Sequence, residues 1–175
     1  MPKTVAIDAR LVSGTATGDS VYWTGLIEGL LTQDSTIHYL LYSNAPKPQW
    51  IPGSGRIRWI QLNSASSRFW SLVLFPLAAR RAKADVIHVQ YNLSPLAGKR
   101  GVTTIHDVSF LIEPKWFSKR DQVLLSRFVP RSARRAQKVI TVSHASKREI
   151  EQYVSGLKGK TEVVYNAAPS ARKRW

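Results

Sequence analysis

The sequence contains no cysteine. Disulfide staples, thiolate metal sites and a cysteine nucleophile are therefore excluded, and the composition is compatible with a cytosolic setting. Acidic residues are scarce: 11 Asp and Glu stand against 26 Lys and Arg, a formal net charge of +15. No hydrophobic run is long enough to span a bilayer. The longest, residues 69–79, falls well short of the roughly 20 residues a membrane helix needs. The first residues lead directly into a strand pattern, so no signal peptide is expected. Internal repeats and low-complexity segments are missing, as are a P-loop and the G-x-G-x-x-G fingerprint of dinucleotide-binding turns. His38, His88, His106 and His144 fall on separate segments without metal-ligand spacing, so neither a metal nor a resident cofactor is expected.

What is present is a globular composition. Apolar residues make up 43% of 175, enough for one domain with a real core. The positive charge is uneven. Residues 1–90 hold nine Lys/Arg and five Asp/Glu, whereas residues 91–175 hold seventeen and six, so the second half carries +11 of the +15. Such a balance implies an anionic partner: phosphate, an acidic membrane surface or nucleic acid. Nucleic acid is the least favoured, because no reader motif accompanies the charge.

Strand and helix patterns alternate along the chain. Residues 3–8 form an apolar strand ending in Asp8. A loop rich in Gly, Ser and Thr follows, and Gly18 opens a helix to about residue 31. Residues 37–42 and 57–62 are further strands, the second near a sheet edge. Residues 64–83 are expected to be helical with a kink or break at Pro76. Their apolar centre, residues 69–75, is either deeply packed or turned in part toward lipid or a partner domain. Residues 85–89, 102–105, 139–142 and 161–164 complete the strands. Residues 118–136 form a helix in which Ser118 and Asp121 resemble a capping box and Pro130 predicts a bend or two shorter helices. Its apolar face is expected to carry Leu125, Phe128, Val129, Ala133 and Ala136. Arg120, Arg127, Arg131, Arg134 and Lys138 form a basic stripe on the opposite side, almost without interleaved acids. The alternation predicts an α/β fold, Rossmann-like, with a mostly parallel sheet and helices on both faces.

In such a sheet ligands gather at the carboxyl ends of the strands. Four segments converge there: the loop of residues 14–18, Tyr91 with Asn92, His106 with Asp107, and Ser143 with His144. Each has a plain alternative. The loop is a strand-to-helix turn or an anion site built from free helix N–H groups. His106 is a backbone-bonded histidine or a ligand contact, and Asp107 caps a turn or faces the cleft. His88, inside a strand, reads as a hydrogen-bonded core histidine.

Taken together these segments resemble glycosyltransferase family 4. Residues 7–11, then Thr17-Gly18-Asp19 with Tyr22 and residues 26–30, are similar to the opening of that family. Ile105-His106-Asp107 resembles its strand-end His-Asp. Residues 134–143 with Ser146-Lys147-Arg148 resemble its RRA-x-x-VI-x-VS-x-x-SK segment, and residues 163–169 its VV-x-N-G stretch. The resemblance covers nearly the whole chain, in order. It implies a GT-B architecture: two Rossmann-like domains across a cleft, the first holding the acceptor, the second holding the nucleotide sugar and a pair of glutamates. Residues 1–169 would be the acceptor-side domain, and residues 170–175 a basic tail or the start of a linker to a nucleotide-sugar domain.

On that resemblance His106 reaches the donor sugar. Gly18 and Asp19 lie where the family's loop meets the donor phosphates. Arg10, Tyr91, Asn92, Asp107 and Ser143 become candidates for the acceptor or the cleft wall. The sequence departs from the family in having Gly18-Asp19-Ser20-Val21 where Gly-x-Gly-Arg is common, and Ala167 where glycine is usual. The implied function is the acceptor-binding half of a retaining glycosyltransferase acting on a glycan or lipid-linked acceptor. It would need the C-terminal GT-B domain in cis or in trans and be inactive alone. The alternative is a basic module docking on anionic membrane through the stripe, with Trp116, Phe117 and Trp70 inserting. Both fit a cytoplasmic protein, peripheral on the inner face of the membrane.

Overall fold

The elements run β1 (Thr4–Asp8), α1 (Gly18–Thr32), β2 (His38–Ser43), β3 (Ile57–Gln61), α2 (Ser67–Phe69), α3 (Phe75–Arg81), β4 (Val86–Gln90), β5 (Gly101–Thr104), α4 (Ser109–Ile112), α5 (Lys119–Arg135), β6 (Lys138–Thr141), α6 (His144–Tyr153) and β7 (Thr161–Val163). In this computed structural model, which describes residues 3–13, 17–33, 36–53 and 55–166, the strands form one sheet in the order β3-β2-β1-β4-β5-β6-β7. Every pairing is parallel. The expected α/β sheet is therefore observed, with β3 at an edge. Residues 14–16, Ala167 and the tail of residues 170–175 lie outside the described residues.

Strand alternation sorts side chains onto two faces. Ile7 and Leu41 pack with Trp23 and Ile27 of α1 on one face. Ala6, Ile87 and Val89 pack with Phe75 and Ala79 of α3, Val129 and Ala133 of α5 and Ile150 of α6 on the other. The chain leaves β1 for α1 on the first face and returns to β4 through α3 on the second. Beyond β4 the α1 side is thinly covered: Val102 and Ile140 are half-buried there, and Lys138 crosses to Glu162 at 2.8 Å.

Pro76 does not end its helix. The turn before it, Trp70–Leu74, is wound as a π-helix that runs into α3. Proline has no N–H, so the carbonyl four residues back loses its helical partner. That carbonyl, on Leu72, accepts instead from the Ser94 hydroxyl at 2.6 Å. The apolar segment is packed on one side, where Trp70 and Phe75 are buried, while Phe69 and Leu72 remain exposed.

Three expectations are corrected. Pro130 does not split the segment into two helices but sits inside one, α5. Phe128 is 48% exposed, because the buried line of α5 runs through Val129, Pro130, Ser132 and Ala133. The Ser118 box is half formed. Its hydroxyl accepts from the Asp121 N–H and donates to the Asp121 carboxylate, a side chain one methylene shorter than the usual Glu. The short α4 had no signal in the sequence pattern.

Candidate functional site

β1, β4, β5 and β6 are neighbours, so the loops that leave their carboxyl ends share one rim. The strand order reverses direction at β1 and β4, and that is where a doubly wound sheet opens a crevice. A cavity of about 380 Å³ lies there. Asp8, Arg10 and Leu11 line it from the end of β1, and Gln90, Tyr91 and Asn92 from the end of β4. Asp19 and Trp23 of α1, with Asn44 and Ser67, complete the wall.

Arg10 is locked in place. Its Nε donates to Asp8 Oδ1 at 2.9 Å, and its Nη2 to Asp8 Oδ2 at 2.7 Å and Ser71 Oγ at 2.8 Å. The guanidinium lies over the Trp70 ring, 4.1 Å from its centroid. This forked pairing leaves little of its charge for an external anion.

The start of α1 satisfies part of its own demand for acceptors. Thr17 Oγ1 takes the Ser20 N–H at 3.2 Å and Ser20 Oγ takes the Thr17 N–H at 2.8 Å, a reciprocal box. Asp19 places a carboxylate in the first turn, where the helix dipole favours an anion. A Cβ on Gly18 would meet no described atom within 4 Å, so none of the described residues crowds this helix start.

His106, just beyond β5, comes within 3.7 Å of Asp19 Oδ1 through its Nε2. That nitrogen is buried and has no hydrogen-bond partner among the described residues. The ring meets Tyr22 edge-on at 4.8 Å and Tyr91 at 5.9 Å. Burial lowers the imidazole pKa below its ordinary value, with Asp19 and Asp107 pulling the other way. A neutral imidazole can offer a donor or an acceptor to a hydroxyl, according to tautomer.

Tyr91 has φ of 55°, a strained backbone for a bulky side chain and one that concentrates at functional sites. Two short backbone bonds hold it there, Tyr91 N–H to Thr104 at 2.9 Å and Asn92 N–H to Gln90 at 2.6 Å. Burial pushes the Tyr91 hydroxyl pKa well up, helped by Asp107 and Asp19.

Two candidates are occupied with structural tasks. Asp107 Oδ1 accepts the Ser109 N–H at 2.9 Å and the Ser109 hydroxyl, which fixes the turn into α4. Ser143 Oγ accepts the Ser146 N–H at 3.0 Å and caps α6. Neither lines the cavity. Arg120, Arg127, Arg131 and Arg134 are all exposed on α5, whereas Lys138 belongs to β6 and pairs with Glu162. Trp70 is 1% exposed and stacked on Phe75, and Phe117 packs against the core, so neither is free to enter a membrane.

Gln90 and Trp23 are the residues the sequence reading missed. A signal existed: His88 and Gln90 are alternate positions of an otherwise apolar strand, hence on one face. Trp23 of α1 covers both, 4.9 Å from the His88 ring and donating its indole N–H to Gln90 Oε1 at 2.7 Å. His88 Nε2 meets Thr104 Oγ1 at 2.8 Å, and Tyr22 OH meets the same oxygen at 3.1 Å. His88 is thus a hydrogen-bonded core histidine.

A family model described as Glycosyltransferase Family 4 matches residues 17–172. A crystal structure of a glycosyltransferase from Rickettsia africae ESF-5 is similar over 94% of this chain, at 16% identity and a TM-score of 0.50. At that identity the likeness speaks to the fold. The chain spans 43% of that structure, less than half its length. No curated protein sequence matches.

Proposed function

The chain belongs to glycosyltransferase family 4, and from that membership we propose that it is the acceptor-binding half of a retaining enzyme that moves a sugar from a nucleotide-sugar donor to a glycan or lipid-linked acceptor. The observation that carries this reading is the polar cavity at the β1/β4 crevice, with His106 next to its wall. Asp19 and Tyr91 line the cavity and both neighbour His106. An acceptor hydroxyl held in the cavity would lie beside the group that meets the donor sugar. Transfer breaks the bond from the anomeric carbon to the donor phosphate oxygen and makes one to the acceptor oxygen, and the nucleoside diphosphate departs with the proton that the acceptor hydroxyl gives up. His106, kept neutral by burial, suits a hydrogen bond to a sugar hydroxyl better than an ion pair to phosphate. Donor phosphates would be held by a second domain in cis or in trans, since Asp19 sets a carboxylate at the α1 start. Among the described residues no group of three or more His, Asp or Glu could hold a metal ion.

The 175 residues alone are expected to show no sugar transfer from radiolabelled nucleotide sugars, because nearly all nucleotide binding would lie elsewhere. Measurable turnover by the isolated chain would overturn this. The native size, read by immunoblot in the source cells, identifies the partner: a band at roughly twice this mass means two such domains in one chain, and a band at this mass means a separate donor-binding chain.

A second reading rests on the outer face of α5. Val123 and Phe128 are 59% and 48% exposed among its arginines, and Trp116 just before the helix is 69% exposed. A basic face with interleaved apolar side chains suits an anionic lipid surface and a peripheral, cytoplasmic location. No helix among the described residues is long and apolar enough to cross a membrane. The chain is expected to sediment with phosphatidylglycerol vesicles and not with phosphatidylcholine, and to be released at 0.5 M salt, roughly where screening falls within a few ångströms. Equal behaviour with both lipids would remove this reading.

A further inference from the structure

The cavity also carries information about the kind of acceptor it takes, and Gln90 is the key to it. Gln90 ends β4 and lines the cavity. Its Oε1 accepts the Trp23 indole N–H at 2.7 Å. An indole nitrogen can only donate, so the amide cannot be turned around, and the NH2 group must point away from Trp23. That nitrogen is buried and has no hydrogen-bond partner among the described residues. Buried donors are nearly always paired in folded proteins, and this one is unpaired on a side chain that lines the cavity.

The charges of the wall sharpen the point. Arg10 is the one cation lining the cavity among the described residues, and Asp8 neutralises it through two bonds. Asp19 has no Lys or Arg partner among the described residues; His106 comes within 3.7 Å of it, a group that burial disposes to be neutral. Among the described residues the lining therefore offers amide donors and a carboxylate hydrogen-bond acceptor but no free positive charge. This contrasts with the chain as a whole, at +15.

We propose that Gln90 is a ligand-contacting residue whose amide donates to a hydroxyl oxygen of an uncharged sugar ring, that Asp19 accepts from another hydroxyl, and that the cavity rejects acceptors bearing phosphate or carboxylate on that ring. This rests on the acceptor-side reading and specifies its substrate class. Sugar hydroxyls both donate and accept, so one ring satisfies both groups. A phosphate would satisfy the amide but would meet the Asp19 carboxylate without a compensating cation, and like-charge contact selects against it.

The test measures affinity of the 175-residue chain for a panel of methyl hexopyranosides and the matching hexose 6-phosphates, by ligand-observed NMR titration. The wild type is expected to bind at least one neutral glycoside, and its phosphate at least tenfold more weakly. Gln90→Glu keeps an oxygen for Trp23 and replaces the NH2 with a second oxygen; neutral affinity should fall about tenfold, as for loss of one buried hydrogen bond. Asp19→Asn, at a half-exposed position that does not threaten the fold, should reduce the discrimination against phosphate to less than threefold. Unchanged neutral affinity in Gln90→Glu, at an unchanged melting temperature, overturns the Gln90 assignment and leaves the acceptor reading standing. A phosphate bound as tightly as its neutral parent overturns the charge exclusion. No binding of any sugar by the wild type overturns the acceptor reading itself, and this inference with it.

Discussion

Trp70→Ala is expected to lower the unfolding free energy by about 3–5 kcal/mol, the range for removing a fully buried large aromatic. Trp70 is 1% exposed. Its ring stacks on Phe75 with centroids 5.2 Å apart and planes 9° apart. Its indole N–H donates to the Leu62 carbonyl at 2.8 Å, so truncation also orphans a backbone oxygen. The ring further supports Arg10, whose guanidinium lies 4.1 Å from the centroid. The loss therefore reaches the cavity wall as well as the core beneath α3. Trp70→Phe keeps a ring for Phe75 and Arg10 but not the N–H, and should cost roughly 1–2 kcal/mol, as for one hydrogen bond and some volume. Equilibrium urea unfolding at neutral pH measures both. A loss below about 1.5 kcal/mol for the alanine variant would mean that this tryptophan does not anchor the packing of the β3–β4 connection.

Lowering the pH from 7.5 to 4.5 is expected to remove about 2–3 kcal/mol of stability through His88 alone. Burial drives its imidazole pKa from 6.5 down to about 4. The sign follows from proton binding. Between those two values the unfolded chain is protonated at this position and the folded chain is not, so stability falls as pH falls. The contribution is complete above pH 6.5 and is lost progressively down to about pH 4. His106, also lowered by burial, acts in the same direction. His88→Gln removes the titration while keeping polar atoms near Thr104. Its stability should start lower at pH 7.5 and fall less on acidification. Parallel profiles for the two proteins in urea unfolding at several pH values would show that His88 is not the group responsible.

Much of the fold was legible because it is written in local periodicity. The strand β1 with its terminal Asp8, the helix opening at Gly18 and the basic face of α5 each follow from spacing within one segment. The parallel sheet follows from their alternation. The exceptions are positions where a remote partner changes the outcome. Pro76 need not end its helix, because Ser94, distant in sequence, bonds the carbonyl that the proline frees. Phe128 was expected inward, but helical phase alone does not set where the neighbouring layer ends. Asp107 read as a turn cap or as a cleft residue, and the nearby Ser109 holds it as a cap.

The sequence by itself determined the class of the sheet, the family and the segments that meet at one rim, since strand ends and family motifs are properties of contiguous residues. Only the tertiary structure decided which of those groups remain available to a ligand. Arg10 is a candidate for the acceptor or the cleft wall by resemblance, yet Asp8 and Trp70 hold it. Gln90 reads as the first residue of the loop after the strand of residues 85–89, yet Trp23, 67 residues earlier, takes its oxygen and leaves the nitrogen without a hydrogen-bond partner among the described residues. Composition counts donors, acceptors and charges, but pairing is a matter of distance, and packing sets the distances.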